Sequence, residues 1–99
     1  MKLCKVIGFA TASLKVEGFS SYKLVIVKGM DEDGSPAGEP FLAVDTFGAG
    51  LSEIVAVVTG TPAAHALPDK GLPVDAAVIG LLDHVPINKK EVYNRHKEG

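Results

Sequence analysis

The amino-acid sequence predicts an all-β domain with small α content, five short strands closing into a small barrel with one short helix before the last core strand. Two features carry that reading. Short runs rich in Val, Ile, Leu and Phe alternate with clusters of Gly, Pro, Asp and Ser, and no 3.6-residue apolar period persists over the length of an ordinary helix. At 99 residues the chain has room for one core and no separate module.

The first run covers residues 2–14, with Leu3, Ile7 and Phe9 to one side and Cys4, Val6, Ala10 and Ala12 to the other. Gly8 within it predicts a bulge or bend of the kind barrel corners need. The second run, 23–27, leads into Asp-Glu-Asp-Gly-Ser-Pro-Ala-Gly at 31–38, whose turn-forming residues predict a hairpin loop. The third run is 41–45, and a glycine-rich connection at 46–52 leads to the fourth, 53–59. Thr61 and Pro62 supply an N-cap and a first helical position, and Pro68 ends the one or two turns that follow. The fifth run is 75–85. Five strands with this helix predict a partly closed barrel of the OB type over residues 1–87. Residues 88–99, with Lys89, Lys90, Glu91, Arg95, Lys97 and Glu98, read as a polar C-terminal tail.

Apolar residues make up 46% of the chain and charged residues 22%, more apolar than a small soluble domain needs. The surplus is concentrated in Val55-Ala56-Val57-Val58 and in the run from Ala76 to Leu82, which are apolar at consecutive positions and so on both faces of a strand. Another part of the chain or a neighbouring subunit must cover the second face. Charge is segregated: residues 1–30 hold five lysines against Glu17, and 31–53 hold six acids and no base. That split reads first as a solvated surface with local charge bias, and second as a device for head-to-tail contact between copies. The lone Cys4 excludes an intramolecular disulfide and fits a reducing compartment. No stretch reaches the ~18 apolar residues of a membrane span, and Lys2 and Lys5 interrupt any signal-peptide core, so a cytosolic protein without a membrane partner is expected.

The sequence offers little chemistry. His65, His84 and His96 follow no ligand spacing, and Asp83 and His84, adjacent on the fifth run, would point to opposite faces; no metal or cofactor is expected. Cys4 sits in an alternating apolar run where burial would silence it as a nucleophile. Asp45, Asp75 and Asp83 read as capping or hydrogen-bonding groups rather than a catalytic pair. The connection Gly48-Ala49-Gly50-Leu51-Ser52-Glu53 lacks the lysine and helix of a phosphate loop, but its glycines permit unusual backbone angles and close approach of another backbone. On composition alone Gly48, Ala49, Gly50, Leu51 and Ser52 read first as an ordinary tight turn, and second as a place where several copies converge around an axis. A barrel of this class also raises single-stranded nucleic-acid binding as the alternative. That use needs stacking aromatics and a cationic groove, whereas the net charge is −2, Trp is absent, and Phe9, Phe19, Tyr22, Phe41, Phe47 and Tyr93 are scattered among apolar neighbours. A small enzyme comes third.

The succession Ala43-Val44-Asp45, Gly48-Ala49-Gly50 with Glu53 and Val55, Gly60, Pro73-Val74-Asp75, and Val78-Ile79-Gly80-Leu81 with Asp83 resembles the EutN/CcmL family of bacterial microcompartment shell proteins. Met1-Lys2-Leu3, Gly8, Lys23-Leu24 and Asp33-Gly34 extend the resemblance up to about Val85. It implies a non-catalytic vertex protein in the bacterial cytoplasm, a homopentamer shaped like a truncated pyramid that caps the corners of a shell built from hexameric shell proteins. By the same resemblance a narrow channel runs down the five-fold axis, with the loop from Gly48 to Ser52 near it or near the subunit interface. Two positions depart from the family pattern: Ser52 stands where a glycine is usual, and Ala64 where an arginine often follows.

Overall fold

Strands β1 (Lys2–Ala10), β2 (Lys23–Met30) and β3 (Pro36–Asp45) form an antiparallel meander, and β4 (Ile54–Thr59) returns antiparallel beside β1. Strand β5 (Ala76–Leu81) fills the remaining gap, antiparallel to β4 and parallel to β3 through Val44 and Ala77, so the sheet closes as a barrel in the order β1-β2-β3-β5-β4. Strands β6 (His84–Ile87) and β7 (Lys90–Asn94) form a separate two-stranded sheet. The computed structural model describes residues 1–10, 23–60, 76–87 and 89–95; the short helix expected after Thr61 lies outside these residues.

Alternation in the sequence places the core. Cys4 and Val6 of β1, Val25 and Val27 of β2, Val55 and Val57 of β4 and Val78 of β5 are all at most 2% exposed and form one cluster. Each valine removed from water contributes roughly 1.5 kcal/mol before entropy is counted. Its β-branched side chain also suits the pleated surface. Around the barrel the ends of β1, β3 and β5 and the starts of β2 and β4 share one end, because β3 and β5 are parallel and the other neighbours antiparallel.

The bulge expected at Gly8 is present. Val6 faces Val27 and Gly8 faces Ile26, so β1 carries one extra residue, Ile7, against β2. An added Cβ on Gly8 would stand 3.6 Å from Ile26 Cδ1, in ordinary contact. One consequence corrects the sequence-derived faces: an odd residue inverts the alternation beyond it. Phe9, expected on the face of Leu3 and Ile7, is instead paired with the inward Val25, and Ala10 with Leu24.

Part of the surplus apolar strand surface is covered by the chain itself. Ile54, on the face of β4 opposite Val55, is fully buried with Val85 and Tyr93, against Met30, Leu82, Ile87 and Val92. This second cluster exists because the fifth run is not one strand: β5 stops at Leu81, and β6 and β7 form the hairpin that packs over Ile54. Lys90–Asn94, expected within a polar tail, is a strand because Val92 and Tyr93 bring apolar area that outweighs the flanking charges, and Tyr93 is only 3% exposed. Asp83, expected on a strand, lies between β5 and β6.

The acidic turn is tighter than expected, since β3 begins at Pro36, a strand-first position that needs no N–H donor. Asp31 N–H donates to Ser35 C=O at 2.9 Å, Gly34 N–H to Asp31 C=O at 3.0 Å, and Ser35 N–H to Asp33 Oδ1 at 2.9 Å. The hydrogen bonds from Ser35, with a smaller contribution from Lys90, hold the exposed Asp33 carboxyl below its ordinary value. Lys5 Nζ reaches Gly34 C=O at 3.4 Å. Fold-back therefore brings lysines to the acidic segment within one chain.

Gly34 and Gly38 both hold positive φ, 89° and 87°. A Cβ on Gly34 would stand 2.9 Å from Val92 C=O, whereas among the described residues beyond its chain neighbours no heavy atom lies within 4 Å of one on Gly38. Gly38→Ala is expected to cost about 1 kcal/mol through backbone strain alone. Gly34→Ala should cost about 2 kcal/mol or more, because it also displaces β7. Urea unfolding of the two variants checks the difference.

Candidate functional site

Residues 46–53 join the end of β3 to the start of β4 and stop one end of the barrel. The stop is built on Asp45, which is 2% exposed. Its Oδ1 accepts the Phe47 N–H at 2.8 Å and its Oδ2 the Ala49 N–H at 2.7 Å, folding the loop back over the carboxylate. Gly48, between these two anchors, has φ 81°, a conformation that disfavours any side chain. The reversal drives Ala49 inward, where it is fully buried among the barrel valines.

Lys23, paired with Asp45 across β2 and β3, holds the loop from the other side. Its ammonium donates to Ala49 C=O at 2.8 Å and lies 4.1 Å from the Phe9 ring centroid. Such cation–π contacts contribute about 0.5–1 kcal/mol at exposed sites. At the other end Lys2 stands 4.4 Å over Phe41 in the same manner.

Glu53 ties the loop's far end. Its Oε1 accepts the Gly50 N–H, its own N–H donates to Gly50 C=O at 3.2 Å, and its Oε2 accepts from Arg95 Nε. Arg95 in turn donates its N–H to Asp83 C=O at 2.7 Å, and its guanidinium lies 3.8 Å from Asp83 Oδ1. Ser52 N–H donates to Val6 C=O at 2.8 Å and Val6 N–H to Glu53 C=O at 3.0 Å, which docks the loop on β1.

The five candidate residues thus have separate tasks. Gly48 supplies the turn and Ala49 the plug. At Gly50 a Cβ would stand 3.0 Å from Glu53 Oε1, so a side chain there would press on the carboxylate that accepts the Gly50 N–H. Leu51 projects outward, 59% exposed, and Phe47 before the loop is 50% exposed. Ser52 adopts φ 69°, the left-handed region where a glycine would be at ease.

Asp45, Lys23, Glu53 and Arg95 are the residues that composition and spacing left unassigned in the loop's support. Asp45 carried the one local signal, an acid two residues before a backbone N–H that it caps. Its hydrogen-bonding role agrees with the expectation; Asp75 lies outside the described residues, as do His65 and His96. His84 Nδ1 lies 3.7 Å from Glu91 Oε1 at the surface. Among the described residues no three His, Cys, Asp or Glu side chains converge on a common point. Cys4 is buried, and desolvation pushes its thiol pKa up, with Lys2 opposing weakly, an environment that suppresses the thiolate. Phe41 packs against the barrel core and Tyr93 within the second cluster, so neither serves as a stacking platform for bases.

Residues 1–83 match the family model described as ethanolamine utilisation protein EutN/carboxysome. The chain is 36% identical over 95 residues to the bacterial microcompartment shell vertex protein EutN of Salmonella typhimurium, covering 96% of each protein. Its fold superimposes on the crystal structure of Escherichia coli EutN with a TM-score of 0.85 at 33% identity, over 97% of this chain and 99% of that one. The GrpN pentameric microcompartment shell protein from Rhodospirillum rubrum superimposes with a TM-score of 0.75 at 40% identity, over 88% of this chain and 98% of that one.

Two substitutions test the loop's construction. Ser52→Gly removes about 1 kcal/mol of left-handed strain against a smaller entropic loss, and is expected to raise the unfolding midpoint modestly. Asp45→Asn leaves one oxygen for two inward N–H groups and turns a donor toward the other. It should cost about 2 kcal/mol in urea unfolding and speed hydrogen exchange at Ala49.

Proposed function

The chain belongs to the EutN/CcmL family, and from that membership we propose that it is a structural shell protein whose five copies close into a ring at the vertex of a bacterial microcompartment. The observation that supports this most is the 40% identity with a pentameric shell protein over 88% of the chain. Flat hexameric tiles fill a plane and cannot close it; a five-fold ring supplies the missing curvature. On this reading the partners are four further copies and, along the rim, hexameric shell proteins, and the place of work is the shell within the bacterial cytoplasm.

No reaction is asked of the chain. Among the described residues the buried barrel interior is made of valine, alanine and one cysteine, and the most elaborate polar construction is spent on fixing one loop. The loop from Gly48 to Ser52 stands, in this proposal, where subunits converge, at the five-fold channel or at the contact between neighbours. An element of that kind must be rigid before assembly, since ordering it on contact would cost affinity.

Native mass spectrometry of the purified chain is expected to give a mass five times the 10.3 kDa of one subunit. A folded monomer or dimer persisting at high concentration would overturn the proposal. Mixed with hexameric shell protein, the ring should convert open sheets or tubes into closed particles under the electron microscope; unchanged sheets would remove the vertex role.

A further inference from the structure

Among the exposed large apolar residues, which also include Met1, Leu3 and Phe9, two groups stand on different parts of the barrel. One is the pair Phe47 and Leu51, carried on the loop at the barrel end. The other is on the barrel's outer side, where Ile7 (39% exposed) and Leu42 (51% exposed) flank the half-buried Ile26. These three share one face: Gly8 pairs with Ile26 and Ile26 with Leu42, on the face opposite the inward valines, and the bulge throws Ile7 outward beside them. Gly8 puts no side chain on that face, and among the described residues the Ile26 side chain, 3.6 Å from where its Cβ would stand, borders the notch.

A ring of five cannot be made by a surface that meets its own image, because a two-fold contact is exhausted by one pair; it needs two different surfaces on each copy that fit one another. We infer that Phe47 and Leu51 of one copy dock on the Ile7, Ile26 and Leu42 face of the next, so that the glycine loop is a subunit contact and not the lining of the channel. This rests on the proposed ring, and it commits that ring to one pair of surfaces.

Shape and rigidity support the pairing. Asp45, Lys23, Glu53 and the Val6 backbone fix the loop at both ends, so its two apolar side chains are held out with little conformational freedom left to lose. A large aromatic on a fixed support opposite a notched aliphatic face is the arrangement that concentrates binding energy at an interface. The two areas also face in different directions, one at the end of the barrel and one on its side, as a head-to-tail contact requires.

Cysteine pairs give the test. With a bis-maleimide cross-linker about as long as two side chains, the double variant Phe47→Cys, Leu42→Cys is expected to yield a covalent ladder ending at five subunits, whereas each single variant yields none. The buried Cys4 serves as the background in wild type. Cross-linking of Phe47→Cys alone would mean that loops meet loops around the axis, and would overturn the inference. So would an intact pentamer of the double variant that gives no ladder. Charge variants cover the case in which the double variant does not assemble. Phe47→Asp and Leu42→Asp should each be folded monomers by circular dichroism and sedimentation, and mixing them should give a 1:1 dimer, because the intact loop of one meets the intact face of the other. Monomers that stay apart at several hundred micromolar would overturn the pairing. Were wild type itself a monomer, the ring would fall instead, a separate outcome.

Discussion

One buried carboxylate fixes the end of the barrel on which the rest is assembled. A closed five-stranded sheet has no edges, but it has two open ends through which water would reach the valine core. At one of them the chain folds back on itself, and the fold-back turns two backbone N–H groups inward where strand pairing cannot satisfy them. Asp45 accepts both, one on each oxygen. A neutral side chain of the same size could satisfy only one, and an unpaired buried donor costs about 1–3 kcal/mol. The same carboxylate would itself be costly without those donors. Acid and loop therefore stabilise each other, and Lys23 on Ala49 C=O completes the satisfaction of the plug.

The architecture was legible because the core is made by period-2 alternation. Cys4 and Val6 could be set apart from Leu3 and Ile7 from spacing alone, and Gly8 announced its bulge, whereas Val55 to Val58, apolar at consecutive positions, gave no face from spacing. What the bulge does to residues beyond it was not legible. Spacing gives the parity of Phe9 relative to Leu3, but only the pairing partner shows that an extra residue has been inserted between them. Strand β7 was missed for a different reason. Four of the seven residues from 89 to 95 carry charge, and the two that fold the segment, Val92 and Tyr93, matter only once Ile54 is known to need cover. The loop's glycines and the adjacent Glu53 were visible, and the distant supports were not, because Lys23 reaches Ala49 across 26 residues of sequence and Arg95 reaches Glu53 across 42, to partners that only the closed barrel brings near.

The second cluster shows how the barrel and the hairpin share their supports. Glu53 begins β4's approach and presents one oxygen to Gly50 and the other to Arg95, so a single side chain connects the loop to the end of the C-terminal hairpin. Arg95 is 39% exposed and Glu53 18%, which places the pair between the weak surface regime and the costly buried one. Its value lies in geometry: the hairpin that covers Ile54 and the loop that plugs the barrel are positioned against the same carboxylate.

The narrowness of the barrel explains why so much apolar area remains outside it. Among the described residues the fully buried members of the interior cluster are valine, alanine or cysteine, with Phe41 and Leu81 packed against them only partly buried. Five strands enclose too small a cross-section for more, as small barrels admit only side chains that fill them. The bulkier aliphatic and aromatic residues are displaced to the rim and outer surface, where Leu3, Ile7, Phe9, Leu42, Phe47 and Leu51 are each more than one-third exposed. A core of small residues yields modest folding energy, and a chain of this length has little margin to spare. Association that covers the displaced residues adds to stability by mass action, since it acts on the folded chain alone. The constraint that limits what one subunit can bury is thus the same one that equips its surface to bind another.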